Sequence, residues 1–460
     1  MFWIPDLERR HEGEYKGVMS TNAPESEPSE RVTDRGLQPE RRHDPYGALK
    51  IRDFRLLLAG NVLSMLGVQA LSMAVGWEVF HRTQDSLSLM WVGLVQVLPV
   101  MGLFLPAGIV VDRLDRRWIL LRTMSVLSLC AALLAYNSYV EGPLWITYLI
   151  LGFFGAARAF TQPARAAFLP EIVPREMFSN AVAWSSGGFQ TAMVVGPAIG
   201  GWLIYLTGGA AVVYGMAAAL ALVYLLLLSA IPPRSRPRNT EPISLKALGM
   251  GLSFVWNSRV MFAAITLDMV AVLLGGATAL LPVYTEKVLL VEAWGLGWLR
   301  SAPGVGAVLM SLWLTHRPPI EKAGRALLWS VVLFGLFTIG FGLSRSFGLS
   351  CVLLLALGAA DMVSVVVRHT LVQMLTPDSM RGRVSAVNGL FISVSNELGE
   401  AESGFVAHLF QRPSDPTFGP TAAVVSGGIG TIVVVGLVAV VCPALRWYGR
   451  VDQVAATEKK

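Results

Sequence analysis

The sequence predicts an all-α polytopic membrane protein with twelve transmembrane helices arranged as two pseudo-symmetric six-helix bundles. Three observations carry that expectation. Hydrophobic residues make up 54% and charged residues 15% of 460, and mean hydropathy is +0.56, too apolar for a water-soluble chain of this length. About twelve runs each approach the roughly 20 apolar residues a bilayer core demands. Finally, a set of small and polar residues recurs at a constant offset of 203 positions, so the chain reads as two parallel repeats.

The runs lie near 54–80, 90–111, 117–137, 144–163, 179–206, 209–231, 260–284, 293–315, 325–344, 347–371, 384–410 and 420–443. If each run crosses, most arginines and lysines fall on one side, including Lys50, Arg113, Arg116, Arg117, Arg175, Arg234, Arg317, Arg325, Arg381 and Arg446. The other side keeps Arg82, Lys287, Arg300, Arg345 and Arg412. This asymmetry places both termini in the cytoplasm and makes the number of crossings even. The net charge of +6 is then topological, and a nucleic-acid partner is not expected.

The organisation that follows is a polar, disordered cytoplasmic tail over 1–47, a first bundle over 48–231 and a Pro- and Arg-rich cytoplasmic linker over 232–253. A second bundle over 254–445 and a short cytoplasmic tail over 446–460 complete it. Met19 is a plausible second start of translation, and no cleavable signal peptide is evident. Cys130, Cys351 and Cys442 sit in or at the ends of apolar runs and read as packing residues. Neither a metal site nor a cofactor is expected.

Between the second and third runs lies Gly108-Ile-Val-Val-Asp112-Arg113-Leu-Asp115-Arg116-Arg117. A glycine that permits close helix approach, an acid at a helix end and paired arginines on the same side form a compact polar latch where two helices meet water. The repeat is seen where Gly155-Ala-Ala-Arg158 and Gly358-Ala-Ala-Asp361 stand 203 apart, followed at the same offset by Arg165 and Arg368, Pro174 and Pro377, Gly196 and Gly399, and Gly201 and Gly404. Shifted by 203, the latch falls on Ser311, Thr315, Pro319 and Ile320, so the second half lacks it.

These residues resemble the major facilitator superfamily. The latch looks like the superfamily's loop motif between spans two and three and matches its fixed positions. Gly196-Pro197-Ala-Ile-Gly200-Gly201 is similar to the core of the antiporter motif of proton-driven exporters, although Ala183 and Ala192 stand where that motif has glycines. Phe160-Thr-Gln-Pro163-Ala-Arg165 with Leu169-Pro170-Glu-Ile-Val-Pro174, and Thr376-Pro377-Asp-Ser-Met-Arg381-Gly382-Arg383, look like the branch that contains the enterobactin exporter and macrolide efflux proteins. The resemblance implies a bacterial inner-membrane exporter working by alternating access, with both ends of the chain cytoplasmic. It also implies a small amphiphilic cargo, siderophore-like or drug-like, exchanged for protons by a functional monomer in the lipid bilayer. The latch would then act as a cytoplasmic gate lock.

Charges inside a bilayer cost about 2.5–3.5 kcal/mol each on insertion scales and therefore mark function. Arg158 and Asp361, at repeat-equivalent positions, are expected to pair across a central cavity. Asp268 stands among apolar neighbours with no base nearby in sequence, and Glu397 and Glu400 share one face of the eleventh run. Asp268, Asp361, Glu397 and Glu400 are the proton-coupling candidates. Glu402 points elsewhere and nearer water. Asn61, Gln69, Arg158 and Gln190 are candidate cavity residues, with Ser64 beside them. Gly196, Pro197, Gly200 and Gly201 are expected to pack helices closely. No Walker-type phosphate loop is present, which argues against a primary pump. The dispersed His81, His316, His369 and His408 offer no set for an intramembrane enzyme. A lipid flippase of the same fold and a non-transporting sensor or scaffold are the alternatives.

Overall fold

The computed structural model describes residues 44–233, 245–318, 320, 322–377, 380–446 and 449. The expected N-terminal tail up to 43, the Met19 start, linker residues 234–244 and nearly all of the C-terminal tail lie outside the described residues.

The first half runs α1 (Arg52–Thr83), α2 (Leu87–Arg113), α3 (Arg116–Tyr139), α4 (Leu144–Ile172), α5 (Phe178–Thr207) and α6 (Ala211–Ser229). The second runs α7 (Leu245–Asn257), α8 (Arg259–Leu274), α9 (Leu281–Val283), α10 (Ala293–Thr315), α11 (Ala323–Leu343), α12 (Phe347–Leu375), α13 (Arg381–Leu409), α14 (Phe418–Val441) and α15 (Pro443–Arg446). Local chemistry sets the boundaries. Asp115 caps α3 by accepting from the Arg117 amide, and α5 stops at Gly208 with φ 74°, a left-handed geometry glycine adopts freely. The helix α7 occupies the end of the expected linker; its strongly amphipathic sequence gives it an apolar face, and it packs on α13 and α8.

Among the described residues, ten helical segments are long and apolar enough to cross a membrane. The two remaining crossings, α10 and α13, have 23 and 29 residues but are diluted by Arg300 and by Glu397, Glu400 and Glu402. Arg158, Asp268 and Asp361 ride instead on spans apolar enough to be among the ten. The seventh run also departs from a single helix. After α8 the chain passes through a 3-10 turn (Ala277–Leu280), α9 and a π turn (Tyr284–Val288). A side chain at Gly275 would meet the Ala271 carbonyl at 2.7 Å, and one at Gly276 would meet Ser403 at 2.6 Å, while Pro282 has no amide to donate.

Helix pairing repeats between the halves. In the first half α1 packs on α5 and α6, α2 on α4, and α3 on α4 and α6; in the second, α8 packs on α13 and α14, α10 on α12, and α11 on α12 and α14. Two crossings join the halves, α5 on α10 and α2 on α13. Repeat-equivalent glycines make these contacts. A side chain at Gly196 would meet the Leu66 carbonyl of α1 at 2.8 Å, and one at Gly399 the Val272 carbonyl of α8 at 2.7 Å. A side chain at Gly201 would meet the Ala293 carbonyl of α10 at 2.6 Å, and one at Gly404 the Met90 amide of α2 at 2.8 Å. Such close backbone approach is how apolar helices gain packing energy in lipid.

Candidate functional site: a charged belt between the bundles

On α13, Glu397 and Glu400 lie three residues apart on one face. Gly93 brings α2 against that face, since a Cβ there would sit 3.0 Å from the Glu397 carbonyl and 3.5 Å from the Glu400 Cβ. Arg158 of α4 reaches across, its Nη1 3.2 Å from Glu397 Oε1. Arg300 of α10 donates to Ser72 Oγ of α1 at 3.0 Å and stands 3.8 Å from Glu400 Oε1. Two arginines and two glutamates therefore form a belt in which each half donates a cation and the second half supplies both anions. Arg300 lies about 10 Å along its helix at 1.5 Å per residue, well inside the span.

The pairing expected between Arg158 and Asp361 does not form. Asp361 instead lies within electrostatic reach of Asp268 and Arg368, all on helices of the second half. The topology explains this: α12 packs on α10 and α11 of its own half, whereas α13 crosses to α2, the neighbour of α4. Asp268, lacking a base nearby in sequence, receives one from α12, where Arg368 Nη1 lies 2.8 Å from its Oδ2. Both side chains are at least nine-tenths buried. Removing one partner of such a pair strands the other in a low-dielectric interior.

The remaining expected residues divide. Asn61 lines a cavity of about 240 Å³ between α1, α4 and α5, together with Gln162, Arg165 and Ser185. Gln69 contacts the Met193 sulfur on α5, Ser64 is buried against Met124 of α3, and Gln190 is half-buried on α5. Glu402 is half-buried and meets the Ser403 hydroxyl. In the antiporter-like stretch Gly196 and Gly200 face α1, while Gly201 and the Pro197 carbonyl face α10.

In the loop latch, Gly108 is buried, Asp112 half-buried and Arg113 exposed. Arg116 pairs with Glu171 at the end of α4. Arg117 donates to the carbonyls of Leu228 at 3.3 Å and Ser229 at 2.8 Å, at the negative end of the α6 dipole. These two arginines clamp α3, α4 and α6.

On the membrane face away from this latch, the halves are tied together. Glu286 accepts from His81 at 2.8 Å and from Gln84 at 2.9 Å, Lys287 donates to the Gln84 carbonyl at 3.1 Å, and His408 meets Asp85 at 2.9 Å. Sequence reading passed over two interior charges. Glu78 of α1 is 6% exposed and accepts from Tyr214 of α6 at 2.8 Å; its i,i+4 partner Arg82 was the available signal. The sequence places Arg300 only among the few basic residues of the less basic side, and its contacts with Ser72 and Glu400 are visible only in the fold.

Residues 43–433 match the model of the transmembrane secretion effector family. The chain belongs to that family. It is similar to the enterobactin exporter EntS of Escherichia coli K12, with 27% identity over 419 residues, covering 88% of this chain and 95% of the relative. The Shigella boydii serotype 18 enterobactin exporter matches to the same extent. Among solved structures, a bacterial homologue of the human lysosomal transporter Spinster aligns with a TM-score of 0.66 at 16% identity, covering 86% of this chain and 98% of that one. The nucleoside transporter NupG aligns with a TM-score of 0.60 at 14% identity, covering 85% and 98%. The family member described here is thus a multi-pass membrane transporter of the major facilitator type, and not an enzyme.

Proposed function

We infer that the protein is a secondary exporter that moves a small amphiphilic molecule out of the cytoplasm by alternating access in exchange for protons. The observation carrying this reading is the Arg158–Glu397 ion pair between the halves, beside Arg300 and Glu400. An ion pair that joins two rocking bundles at mid-depth forms in one access state and parts in another, and a proton on either glutamate releases its arginine. Similarity to enterobactin exporters favours a siderophore-like cargo. The face bearing the latch and most basic residues is read as cytoplasmic, with the two bundles, 48–231 and 254–445, rocking about the α5–α10 and α2–α13 crossings. The ties around Glu286 would then hold the outer face closed while the cavity beside Arg165 receives cargo from inside. The whole path is built within one chain, which favours a functional monomer.

Efflux from proteoliposomes, screened against siderophores, macrolides and lysolipids with and without an imposed proton gradient, tests this. Gradient-dependent efflux lost on Glu397→Gln or Glu400→Gln supports the reading. Efflux that survives both substitutions and collapse of the gradient overturns proton exchange. Cysteines placed at Arg113 and Arg412 should label from opposite sides, the former from the cytoplasm.

A further inference from the structure

Arg165 and Arg368 are repeat-equivalent, each seven residues before the end of its helix, α4 or α12. Their surroundings differ in one respect. Arg368 has a carboxylate at 2.8 Å, that of Asp268; the position 203 before Asp268 is Met65, which lines the cavity beside Arg165. Arg165 lies over the Tyr224 ring, its guanidinium carbon 5.6 Å from the centroid, and its buried Nε has no hydrogen-bond partner. The Asn61 amide oxygen is likewise buried without a partner. Tyr224 is wholly buried, and its hydroxyl has Arg165 as its polar neighbour.

The cavity in front of this arginine is amphiphilic. Leu57, Leu58, Val62, Met65, Leu169 and Phe189 form its apolar wall, while Asn61, Gln162, Arg165 and Ser185 supply polar groups. A half-buried guanidinium that faces an apolar-walled cavity with no carboxylate beside it is costly, and an anion in that cavity would offset the cost. In the second half the Asp268 carboxylate pairs with the guanidinium through Arg368 Nη1, leaving Arg368 Nε unpartnered like that of Arg165; in the first half the place of that carboxylate is left as a cavity.

We propose that this cavity is a binding site for an anionic amphiphile, whose carboxylate or phosphate sits against Arg165 where Asp268 sits against Arg368, and whose apolar body lies along Leu57, Val62 and Met65. The proposal rests on the exporter reading only in identifying the occupant as cargo; the site itself is tested without transport. The same chemistry is shared by a soluble acidic amphiphile and by an anionic lipid headgroup.

The test measures binding of decanoate, decyl phosphate and decanol to the full chain in phosphatidylcholine nanodiscs by calorimetry. The acids are expected to bind at least tenfold more tightly than the alcohol. Arg165→Gln should erase that preference, Arg165→Lys should keep most of it, and Met65→Asp should abolish acid binding by giving Arg165 its own carboxylate. The melting temperature of each variant shows that it is folded. Equal binding of decanol and decanoate, or an acid preference unchanged in Arg165→Gln and Met65→Asp, would overturn the site. Loss of the preference when phosphatidylglycerol replaces phosphatidylcholine supports the site with a lipid as its occupant, and its persistence supports a soluble acid. Acid binding intact with no efflux in vesicles would sink the exporter reading and leave the site standing.

Discussion

The two halves of the molecule keep the same packing and have diverged in charge. Gly201 and Gly404 are repeat-equivalent and do the same job, each letting its helix cross to the other half. Arg165 and Arg368 are also repeat-equivalent, yet one is neutralised by Asp268 and the other faces a cavity. Packing in lipid depends on the absence of a side chain, which both halves can share. On the exporter reading proposed above, charge placement would decide what is carried and how transport is driven, and there symmetry would leave two equivalent sites competing for one cargo. The second half therefore holds a closed ion pair, and the first an open one.

The sharpest way to break that comparison is to open the closed pair. Asp268→Asn breaks the buried pair and leaves Arg368 only Asp361 within electrostatic reach, and should destabilise the protein by about 3 kcal/mol, read from chemical unfolding in micelles. Arg165→Gln, which strands no partner, should cost less than about 1 kcal/mol. The double variant Asp268→Asn with Arg368→Gln should recover more than half of the loss. If Asp268→Asn and Arg165→Gln cost the same, the halves do not differ in the way described.

The shared feature can be tested at its two equivalent positions. Gly201→Val and Gly404→Val each place methyl groups against backbone, 2.6 Å from the Ala293 carbonyl and 2.8 Å from the Met90 amide. Each should lower stability by about 1–3 kcal/mol, and by similar amounts. A loss confined to one would mean that only one crossing holds the bundles together.

Across the belt, neutralising either partner of the Arg158–Glu397 pair should reduce transport about tenfold, equivalent to about 1.4 kcal/mol. Exchanging them, with Arg158→Glu and Glu397→Arg together, should restore a measurable part. No restoration would mean that the two groups act separately.

Much of this architecture was legible from residues alone, because hydropathy and the constant offset of 203 both follow from the bilayer and the repeat. The span positions, the glycine contacts and the shared helix face of Glu397 and Glu400 were available in this way. The partners were not. Arg158 was matched to Asp361 by symmetry, whereas the helices that face each other across the interface are set by α2 packing on α13. Symmetry states which positions are equivalent; it does not state which positions meet. Asp268 looked isolated for a related reason, since its base lies 100 residues away on α12. Arg300 escaped because the sequence places it only among the basic residues of the less basic side, and its contacts with Ser72 and Glu400 exist only in the fold.

The smallest effect concerns the ties on the face away from the latch, where polar contacts between the two halves accompany the glycine crossings at Ala293 and Met90. Glu286 accepts from both His81 and Gln84, so Glu286→Gln weakens two contacts at once while keeping the shape. His81 is 57% exposed and Glu286 is 21% exposed at the side chain, and ion pairs of that kind contribute only about 0.2–1 kcal/mol. The expected shift is therefore about twofold to fivefold toward opening on that face. A cysteine at Ser72, in a background without Cys130, Cys351 and Cys442, reports it through the rate of labelling by an impermeant maleimide added to that side. Labelling should rise by that factor in Glu286→Gln and stay unchanged in the exposed-loop control Glu292→Gln. An unchanged rate would mean that the glycine crossings alone keep this face shut, and that the histidine and lysine contacts only decorate a seam already closed by packing.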